Sequence, residues 1–245
     1  MFMRTGLNHA MSALDRPVWA ALTTRHQHLA QIHGSARRLP PDIGAFAATP
    51  DDSRESIEDL AGLIRQRGQP IVLMQSTEPA TPDGVKRSFA SAGVQMVANY
   101  PIIAQPAAAG AIRLGAVDVP DMVALTQLTE PGPFEPRTHL LGTYWGVREH
   151  GRLIAMAGER LRQPGFIEVS AVCVHPDHRG CGHATRLTAL VAATTQASGR
   201  TPFLHAYADN GPAIRIYERL GFRIRREMRI TRLEPAIADA QTAAK

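Results

Sequence analysis

Apolar positions along the chain switch between helical spacing and short extended runs. "RPVWAALTTRHQHLA", residues 16–30, reads as a helix, and Asp52 with Glu55 forms a capping-box start for "SRESIEDLAGLIRQRG", a helix that ends at Gly68. "PIVLMQ" (70–75) reads as a strand, "PDGVKRSFASAG" (82–93) as a helix and "VQMVANYP" (94–101) as a strand. Small residues and a proline in "QPAAAGAIRLG", residues 105–115, break the pattern and mark a domain boundary. The chain therefore divides into an N-terminal α/β domain, 1–104, without a readable role, and a second domain, 105–245.

Beyond the boundary, "AIRLGAVDV" is extended and "PDMVALTQLT" helical, while "TYWGVREHGRLIAMAGERL" alternates about His150-Gly151 as a hairpin. "GFIEVSAVCVHP" is an apolar, β-branched strand. The turn "HPDHRGCGHATRL" (175–187) opens a helix whose Leu187, Leu190, Val191 and Thr194 form one apolar stripe, ending at Gly199. The strand "PFLHAYA", the helix "GPAIRIYERLG" and the strand "FRIRREMRITRL" follow. This order predicts an α/β fold, a mixed central sheet flanked by helices.

The 245 residues, 44% of them hydrophobic, suffice for a substantial core. A net charge of +5 and a pI near 9.8 raise nucleic-acid binding, but the basic residues are scattered arginines, the lysines are Lys86 and Lys245 alone, and 5% of residues are aromatic. A nucleic-acid partner is thus not expected. No stretch has the apolar length of a signal or membrane segment, and Cys173 and Cys181 lack zinc-site companions, so free thiols in a reducing cytoplasm and no membrane partner are expected.

The turn after the apolar strand carries the chemistry. A helix N-terminus leaves backbone N–H groups unpaired at its electropositive end, glycines at 180 and 182 allow close approach, and Arg179 adds charge. The stretch suits a pyrophosphate. No Gly-Lys-Ser/Thr closes it, and the dinucleotide glycine spacing is absent. His175, His178 and His183 crowd the turn without a second cluster at ligand spacing, so no metal is expected.

"VCVHPDHRGCGHA" resembles the acyl-CoA binding motif of the GNAT superfamily of N-acetyltransferases, with Arg179, Gly182 and Ala184 on its defining positions. "HAYADNGPAIRIYERLGF" resembles the second signature, with Asn210, Tyr217 and Leu220-Gly221-Phe222. The resemblance spans about residues 111–233 and is greatest to the branch grouped with glycine N-acyltransferases. It implies transfer of acetyl from acetyl-CoA directly to a primary amine. It also implies that the strand splays from its neighbour, that Val172, Cys173 and Val174 line the acyl group through their backbone while their side chains are sheet core, and that Arg179, Gly180, Cys181, Gly182, His183 and Ala184 hold the phosphates. Tyr217 is the implied general acid, and Asn210 both an N-cap and a cofactor contact.

Glu168 is the one charge inside "FIEVSAVCV". Two readings stand: a general base whose pKa burial raises, or a salt bridge to Arg160. The rival to an enzyme is a non-catalytic acyl-CoA-binding module. The acceptor is open among small molecules, amino acids, peptides and protein lysines, and residues 1–104 are expected to shape its site or a homodimer contact.

Overall fold

The computed structural model describes residues 13–103 and 110–236. A 3-10 turn (Ala13–Asp15) opens the described chain and leads into helix α1 (Pro17–Leu22), followed by a small antiparallel sheet of β1 (Gln31–His33), β2 (Ala36–Arg38) and β3 (Ala47–Ala48). Helix α2 (Arg54–Arg67) leads to strands β4 (Ile71–Gln75) and β5 (Val85–Val97). Next come β6 (Ala111–Leu114), helix α3 (Val119–Thr129), and strands β7 (Tyr144–Glu149), β8 (Arg152–Gln163) and β9 (Phe166–Val174). Helix α4 (His183–Ala197), strand β10 (Thr201–Tyr207), helix α5 (Gly211–Arg219) and strand β11 (Arg223–Pro235) complete it.

Strands β4 to β11 form one mixed sheet in the order β4-β11-β5-β10-β9-β8-β7-β6, and every pair is antiparallel except β9 with β10. The hairpin of β7 and β8 turns at His150 and Gly151, with φ of 48° and 81°, the two left-handed residues its reversal requires. Helices α4 and α5 cover one face, where Leu187 and Val191 meet Ala155, Val169 and Leu204. Helix α1 covers the other, where Val18 and Leu22 meet Leu161, Phe203 and Met228.

Three local expectations change. In place of the helix expected over 82–93, residues from Val85 onward belong to β5, which is paired along its length by β11 and from Gly93 to Val97 by β10 as well. Helix α1 stops at Leu22 because the Thr23 and Thr24 hydroxyls donate back to the carbonyls of Trp19 and Ala20, and the chain tightens into 3-10 turns. Ser53, not Asp52, caps α2 by accepting from the Ser56 N–H at 3.3 Å, while Asp52 pairs with Arg16 and Gln75.

The stretch at 105–115 does not separate two sheets. Strands β4 and β5, from before it, are hydrogen-bonded among strands from after it, and Phe46 bridges to Val72 of β4. The small β1–β3 sheet and α2 pack on the β4 and β11 edge of the main sheet, where Ala36, Ala47, Leu60, Leu63 and Ile64 meet Ile71, Leu73 and Leu233. Among the described residues no helix is long and apolar enough to cross a membrane.

Candidate active site

Strands β9 and β10 run parallel but are paired only at their first residues, Thr201 with Phe166, Pro202 with Ile167 and Phe203 with Glu168. Past these they part, as expected. Backbone groups along the parted edge of β9 are then available to a ligand, since a paired neighbour no longer occupies them. Opposite the gap, β9 carries a bulge. Ala171 and Val172 together face the single Ala157 of β8, and Ala171 sits at φ 52°, unusual for a residue with a Cβ.

The parted strand runs into the glycine turn. Gly180 and Gly182 have φ of 79° and 77°, Gly182 is the N-cap residue of α4, and a Cβ on Gly180 would meet nothing within 4 Å. Arg179, Gly180, Cys181 and Gly182 are all exposed. A turn of left-handed glycines with an exposed arginine, feeding a helix of 15 residues, fits a diphosphate. His183 begins the helix, and its ring nitrogen lies 3.2 Å from Arg186. Burial and Arg186 hold it below the usual histidine range. His175 pairs with Arg152 and His178 with Glu149. Among the described residues, no three His, Cys, Asp or Glu side chains are grouped to hold a metal.

A cleft of about 470 Å³ lies along the gap. Val169, Val172, Asn210, Ala213 and Tyr217 line it, and so do Phe46, Val72, Met74 and Ile230. Val172 and Tyr217 pack with the α4 and α5 cluster, whereas Phe46, Val72, Met74 and Ile230 pack with the α1 cluster. The cleft therefore crosses the sheet where β9 and β10 separate and is lined from both faces.

Asn210 caps α5 as expected, its side-chain oxygen accepting from the Ala213 N–H at 3.2 Å. Tyr217 stands edge-on to Phe222 with ring centroids 6.2 Å apart, and burial pushes its hydroxyl up to about 12. The phenol is thus protonated at neutral pH, the form that donates. Of the three strand residues, only Val172 reaches the cleft. Cys173 turns into the cluster of Met122, Tyr144 and Met156, with its thiol pushed up to about 11 by burial, and Val174 packs against the α4 side.

Glu168 reverses one expectation. Its side chain is fully buried, and burial alone would raise its pKa, but Arg160 and His205 outweigh burial and hold the carboxyl at about 2. The Arg160 guanidinium donates to both oxygens, at 2.8 and 2.6 Å, and the His205 Nδ1 lies 2.7 Å from Oε1. The Leu161 N–H adds a contact at 3.3 Å. A carboxylate so satisfied is a poor proton acceptor. The salt bridge to Arg160, one of the two readings, is present. On its other side His205 faces the Gln95 amide, Nε2 to Nε2 3.0 Å, and Gln95 in turn accepts from Arg225.

Sequence reading missed Phe46, Val72 and Met74, because apolar residues in a region without motifs carry no local sign of lining a site. It also missed the Ala171 bulge, which depends on the β8 register.

The FR47-like protein family model matches residues 144–230, from β7 to β11. A mycothiol acetyltransferase of Streptomyces avermitilis is 32% identical over 163 residues, 65% of this chain and 49% of that protein. The chain spans about half the length of this curated relative. The crystal structure of a GNAT-family protein from Novosphingobium aromaticivorans superposes with a TM-score of 0.84 at 42% identity, covering 91% of this chain and 99% of the other. A GCN5-related N-acetyltransferase from Kribbella flavida shares the fold at a TM-score of 0.60 and 18% identity, over 90% of this chain and 95% of its own.

Proposed function

The chain belongs to the GNAT family of acetyltransferases, and from that premise we propose that it moves the acetyl group of acetyl-CoA directly to a primary amine. One observation carries the reading: the parted strands β9 and β10 join the glycine turn at one end and a cleft open to the second face of the sheet. Within the family we place it in the branch grouped with glycine N-acyltransferases, on the likeness over residues 111–233.

In this reading Arg179, Gly180, Gly182 and the first N–H groups of α4 hold the diphosphate, and the edge of β9 from Ser170 to Val174 holds the pantetheine arm. An acyl thioester is already reactive, so alignment of the amine against it is the main task. Tyr217, protonated and lining the cleft, donates a proton to the departing thiolate. Glu168 holds Arg160 and His205 in place rather than accepting the amine proton.

The testing experiment is amine-dependent release of free thiol from acetyl-CoA, which a non-catalytic binding module would not give. Two variants sharpen it. Gly182→Asp places a carboxylate and a Cβ at a φ of 77°, where the diphosphate would lie. The left-handed backbone strains the new side chain by about 1–2 kcal/mol, which a carboxylate at a helix N-terminus offsets only in part, so the melting temperature should fall by about 2–4 °C with the protein still folded. Acetyl-CoA affinity by calorimetry should fall by about a hundredfold, roughly two charge-assisted hydrogen bonds' worth. Unchanged affinity would remove the turn from the site.

Tyr217→Phe removes only the hydroxyl. General acid catalysis contributes about a hundredfold or more, and thiolates leave readily, so kcat should fall by about that lower figure with acetyl-CoA affinity unchanged. A fall smaller than about threefold would make Tyr217 a packing residue.

A further inference from the structure

We propose that the acceptor is a primary amine carried on an apolar, ring-bearing body without a second positive charge. The inference rests on the acetyl-transfer reading and concerns the half of the cleft on the α1 face. Its walls are Phe46, Val72, Met74, Phe89, Tyr207 and Ile230, contributed by the segment before β4 and by β4, β5, β10 and β11. Phe46 and Met74 are each 4% exposed and fixed in the core, so this surface is preformed. Phe89 and Tyr207 stand edge-to-face at 6.5 Å and remain 44% and 39% exposed. Two neighbouring aromatic rings left open to water beside an apolar cleft are what a flat apolar body would cover.

The charges point the same way. Among the described residues lining the cleft, the ionisable groups of formal charge are Arg160 and Arg232, with His205 beside them, and no carboxylate lines it. Glu168, the nearest buried acid, has its oxygens taken by Arg160, His205 and the Leu161 N–H. Arg160 in turn stacks its guanidinium over the Phe46 ring at 4.7 Å. A polyamine entering this cleft would bring a second ammonium to a place whose nearest carboxylates, Glu168 and Glu234, are each already taken by an arginine, an uncompensated desolvation. An amine with one charge, lost before attack, and a ring against Phe89 and Tyr207 meets no such cost.

The full-length protein is assayed by thiol release from acetyl-CoA with 2-phenylethylamine, ethylamine and spermidine, and equilibrium binding of each amine to the CoA-saturated protein is measured alongside. The value of kcat/KM for 2-phenylethylamine should exceed that of each of the others by about tenfold or more, the scale set by a buried ring. Phe89→Ala, a change at a half-exposed residue, should raise KM for 2-phenylethylamine by about fivefold while altering kcat less than about twofold, since it removes binding common to ground and transition states. Spermidine or ethylamine equal to 2-phenylethylamine in kcat/KM, or an unmoved KM in the variant, overturns the inference. Binding of 2-phenylethylamine in preference to spermidine without turnover of any amine upholds the inference and overturns acetyl transfer. Turnover of spermidine with no binding of 2-phenylethylamine does the reverse.

Discussion

A chain shortened to residues 105–245 will not fold. That division follows the composition of the sequence, yet it removes β5, which lies between β10 and β11 and pairs with β11 from Arg223↔Val97 to Pro235↔Val85. Without β5, two inner strands present open edges, each a row of unpaired backbone groups and a template for aggregation. The cut also takes Leu14, Val18, Phe46, Val72 and Val97 from the cluster that covers Phe203 and Met228. Losing several fully buried apolar side chains, each worth about 1.5–3 kcal/mol, exceeds the 5–15 kcal/mol or so that holds a typical domain. Thermal scans of the shortened chain should show no cooperative transition, and the protein should aggregate. A soluble fragment that melts cooperatively and binds acetyl-CoA would show that β10 and β11 close on each other without β5.

The same strand marks where sequence reading stops. Lys86, Arg87, Ala90 and Ala92 are good helix formers, while Val85, Ser88, Phe89 and Ser91 favour a helix less, and local preference does not decide the segment. The partners that make the segment extended, Tyr207 against Gly93 and Arg232 against Phe89, lie more than a hundred residues away. By contrast, the β7–β8 hairpin, α4 and the glycine turn are set by neighbours in sequence and were legible. Asn210 was legible for the same reason, since a cap needs only the next few residues. Glu168 was half legible. An acid inside an apolar strand announces a role or a partner, and Arg160 was one of the two readings, but the sign of its pKa shift depends on His205 arriving from β10. The acceptor wall from 46 to 89 had no motif to show, because complementarity to an apolar ligand is written in the same residues as ordinary core.

Arg160→Met is expected to cost about 3–5 kcal/mol of stability, because it leaves the buried Glu168 carboxylate with only the His205 ring and the Leu161 N–H beside it. The guanidinium is the largest influence opposing burial at Glu168, followed by the His205 contact. With it gone, burial prevails and the folded pKa of Glu168 rises above its ordinary 4.5. The pH dependence then changes sign. In the parent the folded value, about 2, lies below 4.5, so Glu168 contributes stability that is fully present above pH 4.5 and is lost as pH falls toward 2. In Arg160→Met the raised value means that ionisation penalises the fold at neutral pH and that lowering the pH through it relieves the penalty. Urea melts at pH 7 and pH 5 should therefore show the variant gaining on the parent at the lower pH. Adding Glu168→Leu to Arg160→Met removes the orphaned charge and should recover about half or more of the loss at pH 7, since replacing both members of a buried pair is often near neutral. A single variant within about 1 kcal/mol of the parent, with parallel pH dependence, would mean that water or His205 satisfies Glu168 unaided and that the Arg160 pair does not hold this face of the cleft together.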